Sequence, residues 1–512
     1  MTVVEVVEAL VRIGLKPFLG YSQWALARPE HRQAQLLGEI LRRHASTAFG
    51  KKHGFDDIRS IRSFQDHCKV HAYDYFKPYV DAMLDGNRHA LSNSKLVAFA
   101  HTTGTTGKPK LIPVTPEIAK TYSLALLRTA GHFIAEDPPQ NAGIIRGTWL
   151  YLPAPAIIRN AGVGCTPVGY ITGLMTLPSA AQAWQYLIRS KYYTPLHLAR
   201  FGMKNQFDIV TQECSGKDLA MVVGTTPVAV TLLEHMVRAR GASGVHDLFP
   251  SLRFGILSGV SPKYYEPRIR RILGRGFTFR EVYAASEGML AAQLSPRPGL
   301  TPLHDDVFFE FVPIANPAER LLLHEVKKGV DYRLVITSHN GLFAYDIGDV
   351  VRFLEVDPPR IEVVSRTNAM DIAGEKVTPA QVLAAMKMAD ASYHCKSIDF
   401  FVIGTYSPKA RYVYAIEFEA RKQPASLMDY LSTLDQELRR LNDVYEISRA
   451  RRILVEPELR ILNPGFFHDF ERGKMAGQER ACQIKTSRFS NDAAILDLFE
   501  QHVTDRVELK KA

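Results

Sequence analysis

A ten-residue segment, residues 101–110, brings together side chains of the kinds that hold phosphate groups. Its sequence, HTTGTTGKPK, contains four threonines, two glycines and two lysines. Glycine lets backbone N–H groups approach an anion closely, threonine hydroxyls donate hydrogen bonds, and lysine adds positive charge. The segment is not a Walker loop, which has four residues between its glycines and a Ser or Thr after its lysine. It predicts a polyphosphate-binding loop of another type.

Two further motifs each place an acidic residue four positions after a tyrosine. One is Tyr283–Gly288, with the sequence YAASEG, and the other is Tyr345–Val350, with the sequence YDIGDV. A hydroxyl beside a carboxylate, as at Ser286 and Glu287, can hold an α-phosphate and its Mg²⁺, because hard divalent cations prefer oxygen ligands. Each of these motifs is weak evidence for a phosphate or metal site when it is taken alone.

The elements that must position these residues are evident in residues 218–288. Apolar runs at Leu219–Val223, Phe254–Leu257 and Phe277–Tyr283 predict three strands. Helix starts at Thr226-Pro227 and Ser261-Pro262 separate them, since a capping residue followed by proline favours the first helical turn. The order β-α-β-α-β predicts parallel strands with right-handed crossovers.

Polar residues follow these three strands, at the positions where open α/β sheets bind their ligands. The threonine- and glycine-rich segment also follows an apolar strand, at residues 96–100. We therefore expect one rim to carry the substrate-binding residues, which we predict to be Thr225, Thr226, Gly259, Val260 and Tyr283.

The pattern changes after residue 306 to short apolar runs separated by turns. They predict an antiparallel sheet or a barrel-like part, with strands at Val307–Val312, Leu321–Val326, Tyr332–Thr337, Leu342–Tyr345 and Val350–Leu354. Two consecutive prolines in Asp357–Arg360 predict a linker. We accordingly predict an N-terminal domain over residues 1–356 and a C-terminal domain over residues 357–512.

The C-terminal domain has the pattern of a compact α+β unit. We predict a helix, two strands, a long helix and a last strand, at Pro379–Met388, Asp399–Tyr406, Arg411–Glu419, Leu427–Leu441 and Arg452–Val455. The whole chain is therefore predicted to be an α/β protein.

The three motifs resemble those of adenylate-forming enzymes. Other segments of the chain point to one particular family within that class. From about Gln35 to Arg488 the sequence resembles the plant auxin- and jasmonate-conjugating acyl acid amido synthetase family, in a shorter form of bacterial type. The supporting segments are KLIP at residues 110–113, FFEFVP at 308–313, LNDVY at 441–445 and GFF at 465–467. The resemblance implies a large N-terminal domain and a smaller, mobile C-terminal domain.

The resemblance also implies roles for individual residues. Phosphate contacts are implied for Thr103, Gly104, Thr105, Thr106 and Gly107; α-phosphate and Mg²⁺ binding for Ser286 and Glu287; adenine contact for Tyr283; ribose binding for Asp349; and nucleotide contact during catalysis for Lys376. Two positions depart from the family pattern. Asp346 stands where the family often has Arg, and Gly374-Glu375 replaces an aspartate-containing run.

The implied reaction is ATP- and Mg²⁺-dependent activation of a carboxylic acid, followed by transfer of the acyl group to an amine, with an amino acid as the expected amine. An alternative is transfer to the thiol of coenzyme A or of a carrier protein, which would be a separate protein because the chain has no Gly-x-Asp-Ser carrier motif. A non-catalytic nucleotide-binding protein is a third alternative, and the intact motifs argue against it.

Bulk properties exclude several other classes. The net charge of +10 comes from scattered Lys and Arg, without a basic tail or nucleic-acid motif, so we predict no nucleic-acid partner. Five widely spaced cysteines indicate neither a disulfide framework nor a zinc site. Charged residues interrupt the N-terminal apolar stretch, and no uncharged run is long enough for a membrane span. We predict a cytoplasmic protein without stable membrane insertion.

Overall fold

A computed structural model of the chain describes residues 17–27, 29–102, 110–177, 192–194, 206–274, 276–366, 370–406, 408–419, 421–467, 489–491, 493 and 495–509. The chain divides into two compact units. The first comprises the described residues of 1–102 and 110–367, and the second those of 368–512. Within the described ranges, no helix combines the length and apolar character needed to cross a membrane.

The first unit contains helices that precede, connect and flank three sheets. They are α1 (17–26), α2 (Pro29–His44), α3 (Ala48–Lys52), α4 (Ile61–His67), α5 (Tyr73–Leu84), α6 (Pro116–Glu136), α7 (Pro138–Asn141), α8 (Ile171–Leu174), α9 (Gln206–Glu213), α10 (Thr226–Ala239), α11 (Val245–Leu248) and α12 (Glu266–Leu273). Short 3-10 turns lie at Phe55–Asp57, Ala142–Ile145 and Pro262–Tyr265.

The strands of this unit are β1 (Ala98–Thr102), β2 (Lys110–Val114), β3 (Thr148–Tyr151), β4 (Arg159–Ala161), β5 (Thr166–Gly169), β6 (Tyr192–Tyr193), β7 (Leu219–Thr225), β8 (Phe254–Ser258), β9 (Thr278–Ala285), β10 (Gly288–Ala292), β11 (Thr301–Pro302), β12 (Phe308–Pro313), β13 (Asp331–Thr337), β14 (Tyr345–Val356) and β15 (Pro359–Arg366). They form sheets of the orders β2-β1-β5-β4, β11-β10-β9-β8-β7-β3-β6 and β12-β13-β14-β15.

The predicted β-α-β-α-β region lies in the seven-stranded sheet, and its parallel pairing is confirmed. β7, β8 and β9 are parallel neighbours, with Thr225 beside Ser258 and Leu257 beside Glu281. The helix α6 begins with a capping bond, because the Thr115 hydroxyl accepts the Ile118 N–H and Pro116 occupies the first turn. The carboxyl ends of the parallel strands β7, β8 and β9 lie at one edge of their sheet.

The antiparallel region differs from the prediction in three places. β12, β13, β14 and β15 form a four-stranded antiparallel sheet. Within Leu321–Val326 only Leu321 is paired, in an isolated bridge with Phe311, so the strand predicted there is wrong. The two strands predicted at Leu342–Tyr345 and Val350–Leu354 are largely one strand, β14. The predicted linker at Asp357–Arg360 is also wrong, because Val356 pairs with Pro359 and closes a two-residue hairpin turn.

The second unit is the predicted α+β structure. Its elements are α13 (Pro379–Ser392), β16 (Ser397–Thr405), β17 (Arg411–Phe418), α14 (Leu427–Leu441), α15 (Asp443–Ala450), β18 (Glu458–Leu462), β19 (Phe489–Ser490), α16 (Ile495–Phe499), a 3-10 turn (Glu500–His502) and β20 (Val503–Glu508). The sheet order is β19-β16-β17-β18-β20. The strand predicted at Arg452–Val455 is wrong, because the strand of this region, β18, begins at Glu458.

A buried histidine makes the stability of the first unit sensitive to acid. The His44 side chain is fully buried, and its Nδ1 accepts the Asn93 N–H at 3.1 Å. Burial, and then the neighbouring His339 and Arg43, lower the pKa of His44 to about 3. An exposed histidine in the unfolded chain binds its proton near pH 6.5.

We expect the free energy of unfolding to fall as the pH falls from about 6.5 towards 3, because only the unfolded state binds the His44 proton in that window. The loss attributable to this residue is about 1.4 kcal/mol per pH unit. His44→Gln keeps an acceptor for Asn93 but cannot titrate. Urea unfolding of both proteins across this pH range should give a shallower slope for the variant, and equal slopes would contradict the assignment.

Candidate active site

The predicted phosphate loop joins two paired strands. β1 and β2 run antiparallel, with Thr102 opposite Lys110, at the two ends of the loop. Thr103, Gly104, Thr105, Thr106 and Gly107 lie outside the described residues, so their phosphate contacts stay a prediction. The start of β2 is fixed by Tyr73 of α5, whose hydroxyl accepts the Leu111 N–H at 2.9 Å and donates to the Leu111 carbonyl at 3.1 Å.

The two tyrosine–acid motifs are joined to each other by a crossed pair of hydrogen bonds. The Tyr283 hydroxyl on β9 donates to Asp349 on β14. The Tyr345 hydroxyl on β14 donates to Glu287 Oε1, 3.2 Å away, in the turn after β9. Each motif thus supplies a tyrosine to the carboxylate of the other. This crossed tyrosine–carboxylate pair brings two segments about sixty residues apart in the sequence into one site.

Glu287 and Ser286 occupy a tight turn rather than the entry to a helix. Ala285 at the end of β9 pairs with Gly288 at the start of β10. Ser286 and Glu287, which lie between them, therefore form a two-residue hairpin turn. The Tyr122 hydroxyl of α6 donates to the Ala285 carbonyl, and Asn340 Nδ2 donates to the Glu287 carbonyl at 3.2 Å. The turn is therefore held from both sides.

The Glu287 side chain is 6% exposed and lies among phenols that stay protonated. Burial, followed by the charge of Glu287, raises the pKa of Tyr345 and of Tyr122 well above the usual value. Burial is also the main cause that raises the pKa of Tyr73 to about 12, with a smaller contribution from Glu287. These hydroxyls act as hydrogen-bond donors and as polar neighbours of the Glu287 carboxylate.

This arrangement fits a metal ion that is shared with a nucleotide. Among the described residues, no group of three His, Cys, Asp or Glu side chains is placed to hold a metal on its own. Mg²⁺ is commonly bound by one or two carboxylates together with substrate phosphates and waters. A single buried carboxylate at Glu287 matches that donor set.

Asp349 lies on β14 beside a left-handed glycine. Its side chain is fully buried, and one carboxylate oxygen accepts the Tyr283 hydroxyl. Gly348 has φ of 82°, and its N–H donates to Asp346 Oδ1 at 2.9 Å. Asp346, at a position where Arg was expected, forms an ion pair with Arg333 at 2.9 Å. The ribose contact of Asp349 stays a prediction. Within the protein, the Asp349 carboxylate accepts a hydrogen bond from Tyr283.

The predicted substrate residues lie at the ends of β7 and β8. Thr226 is fully buried, and its hydroxyl donates to the Val260 carbonyl at 2.6 Å, so it fixes the turn after β8. Gly259 has φ of 82°, and a Cβ added there would lie 3.4 Å from Cγ2 of Thr225. Thr225, Gly259 and Val260 therefore lie together at the rim, while Thr226 supports them. Their contacts with a substrate stay predictions.

Lys376 belongs to the second unit, in a loop before α13. Its backbone is left-handed, with φ of 50°, and its side chain is half-buried. The preceding Gly374 is also left-handed, with φ of 95°. Glu375 between them is fully buried. The Gly374-Glu375 departure therefore shapes the backbone directly before the lysine.

Several residues that contact or adjoin the predicted site residues were not themselves predicted from sequence. They are Tyr345, Tyr73, Tyr122 and Asn340 in the first unit and Glu375 in the second. Tyr345 and Glu375 stood inside quoted motifs, so a signal was present for them. The other three carried no signal in the sequence, because their hydrogen bonds reach backbone groups far along the chain.

Comparison with solved structures supports the fold. The structure is similar to an acyl acid amido synthetase in complex with 2,4-DB, with a TM-score of 0.60 and 17% identity over 97% of this chain and 98% of that chain. It is also similar to 2-hydroxyisobutyryl-CoA ligase in complex with 2-HIB-AMP and CoA, with a TM-score of 0.55 and 15% identity over 95% and 91%. The predicted adenylate-forming fold is confirmed.

Sequence comparison identifies the family within that class. Models of the GH3 family N-terminal, central and C-terminal domains match residues 23–196, 300–366 and 380–494. The chain belongs to the GH3 family, as the resemblance predicted. Relatives include a jasmonoyl–L-amino acid synthetase of Oryza sativa subsp. japonica, 21% identical over 92% of this chain and 94% of the relative. An indole-3-acetic acid-amido synthetase of Oryza sativa subsp. indica is 24% identical over 92% and 90%.

We expect Tyr345→Phe to slow acid activation by about tenfold, because it removes a hydrogen bond to a charged group, which is worth about 1.5–3 kcal/mol. The matched control is Tyr332→Phe. Tyr332 is equally buried in the neighbouring strand β13, but its hydroxyl accepts the Lys327 N–H. Steady-state rates and thermal unfolding of both variants separate the two effects. Equal loss of rate in both would mean that Tyr345 matters only as a buried phenol.

Proposed function

We propose that this protein activates a carboxylic acid with ATP, as an acyl adenylate, and transfers the acyl group to an amine to form an amide. AMP and pyrophosphate are the other products. The observation that carries this proposal is the crossed tyrosine–carboxylate pair, which joins Glu287 and Asp349 in one buried cluster. Membership in the GH3 family supports the same reaction class.

In the proposed first step, the acid carboxylate attacks the α-phosphorus of ATP and pyrophosphate leaves. The residues 103–107 hold the phosphates, Ser286 contacts the α-phosphate, and Asp349 accepts hydrogen bonds from the ribose hydroxyls. Tyr283 lies against the adenine, and Lys376 contacts the nucleotide. Catalysis of such a step depends mainly on positioning and on stabilising charge. Glu287 would hold Mg²⁺, which neutralises phosphate charge when it is bound.

In the proposed second step, an amine attacks the carbonyl carbon of the acyl adenylate and AMP leaves. The mixed anhydride is already activated, so this step needs no nucleophilic side chain. An amino acid is the proposed amine, because the named relatives are acid–amino acid synthetases. Thr225, Gly259, Val260 and Tyr283 are the proposed contacts of the acid. The protein is proposed to act in a reducing cytoplasm, and the described cysteines are all free thiols.

A thiol acceptor is the competing proposal. A coenzyme A ligase shares the fold, with a TM-score of 0.55. Acyl adenylate formation is common to both reactions, so only the acceptor distinguishes them.

We expect the purified protein to exchange labelled pyrophosphate into ATP only when a suitable carboxylic acid is present, because adenylate formation is reversible. The measurement uses a panel of acids with ATP and Mg²⁺. Mass spectrometry with pooled amino acids, and separately with coenzyme A, then identifies the acceptor. Amide products support the proposal, thioester products alone favour the competing one, and release of ADP with phosphate across the panel would exclude an adenylate.

We expect Glu287→Gln to reduce adenylation by about a hundredfold, or about 2.7 kcal/mol, because it removes the charge that holds Mg²⁺. Raising the Mg²⁺ concentration should restore part of the rate. The measurement is adenylation across Mg²⁺ concentration and pH. A general base would behave differently: the loss would not respond to Mg²⁺, and the acidic limb of the pH–rate profile would disappear.

A further inference from the structure

The residues that lead to Lys376 form a closed loop around a buried carboxylate. At the base of the loop, Met370 pairs with Val377, and the Met370 N–H donates to the Val377 carbonyl at 2.7 Å. Glu375 is fully buried inside this loop, whereas Lys376 is half-buried. The acid and the lysine are sequence neighbours in different environments.

The Glu375 carboxylate collects donors from the loop itself and from the sheet. Its Oε1 accepts the Ile372 N–H at 3.0 Å and also the Tyr412 hydroxyl of β17. Its Oε2 accepts the Ala373 N–H at 2.7 Å. A buried amide or carboxylate without a partner is costly. The carboxylate and the backbone of residues 372–373 therefore fix each other.

Further contacts hold the two ends of the loop. Asn442, at the start of α15, donates from Nδ2 to the Glu375 carbonyl at 2.8 Å. Asp371 Oδ1 accepts the Gly374 N–H at 2.6 Å. A left-handed backbone is uncommon for lysine and persists where the surrounding structure holds it. These two contacts hold the backbone directly before Lys376, and the Met370–Val377 pair holds it directly after.

We propose that Glu375 is a positioning residue for adenylation: its buried carboxylate orders residues 371–375 and thereby sets the left-handed backbone that presents Lys376. This inference rests on the proposed function, since it assigns Lys376 to the adenylation step. It goes beyond that function by assigning a role to Glu375. This residue belongs to the Gly374-Glu375 pair that stands where the family has an aspartate-containing run.

The same geometry predicts a dependence on pH. The titratable groups facing Glu375 are Asp371 in its own loop and Tyr412 and Tyr414 on β17, with Lys376 next in the chain. Burial, and then Asp371, raise the pKa of Glu375 to about 7. The ionised Glu375 carboxylate accepts hydrogen bonds from all three donors, the Ile372 and Ala373 N–H groups and the Tyr412 hydroxyl. A proton on the carboxyl group would point at one of these donors, and that hydrogen bond would be lost. Adenylation therefore rises as the pH rises through this titration.

The test compares Glu375→Gln, Lys376→Ala and the double variant in acid-dependent pyrophosphate exchange across pH 5.5–8.5, on the full chain. Glutamine keeps the size of the side chain, but its NH₂ group faces the N–H donors. We expect Glu375→Gln to slow exchange by about tenfold and to lose the rise near pH 7. We expect the double variant to be no slower than Lys376→Ala alone, because both changes act through the lysine.

Hydrogen–deuterium exchange of residues 370–378 gives a readout that needs no activity, and faster exchange in Glu375→Gln is expected. Tyr412→Phe is a milder variant should Glu375→Gln fold poorly, with Tyr414→Phe, equally buried on the same strand, as its control. Additive losses in the double variant, or an unchanged pH profile, would overturn the positioning role. A wild type that exchanges pyrophosphate with none of the acids would instead overturn the proposed function.

Discussion

Two buried carboxylates, Glu287 and Asp349, impose the main constraint on the first unit. A carboxylate removed from water must find donors, and here each finds the tyrosine of the other motif. This requirement fixes the β9–β10 turn against β14, although the two belong to different sheets. The seven-stranded sheet, the four-stranded sheet and helix α6 then have to be packed so that these groups coincide. The proposed nucleotide site is thus built where several elements meet rather than on any single one.

The same physical device recurs in the second unit on a smaller scale. Glu375 is buried, accepts a tyrosine hydroxyl from β17 and shapes the backbone next to Lys376. In both units a buried acid with a phenolic donor orders a turn. A buried acid that accepts such donors restricts the conformation of its loop, because an unpaired polar group is costly in a medium of low dielectric constant.

Errors in the sequence-based strands have a common cause. Residues 321–326 and 452–455 contain apolar side chains, but apolar content alone does not distinguish a strand from a packed turn. The two prolines after Asp357 predict a linker, yet proline is equally common in the tight turns of hairpins. In residues 218–288 the three strands and their parallel pairing were correct. The predicted helix starts were less accurate: Thr226 is the first residue of its helix, and Ser261-Pro262 begins a 3-10 turn that precedes a helix at Glu266.

The sequence by itself determined the fold class, the parallel core, the family and the motifs that carry Ser286, Glu287, Tyr283 and Asp349. These follow from local patterns, since strands, helix starts and motif spacing are written in neighbouring residues. Only the tertiary structure decided that Tyr345 donates a hydrogen bond to Glu287 and that Tyr283 donates one to Asp349. It likewise showed that the Thr226 hydroxyl donates to the Val260 carbonyl at the rim, and that Glu375 is buried whereas the adjacent Lys376 is half-buried. Those pairings join residues distant in sequence, and a hydrogen bond across two sheets depends on how the sheets pack, which no local pattern records.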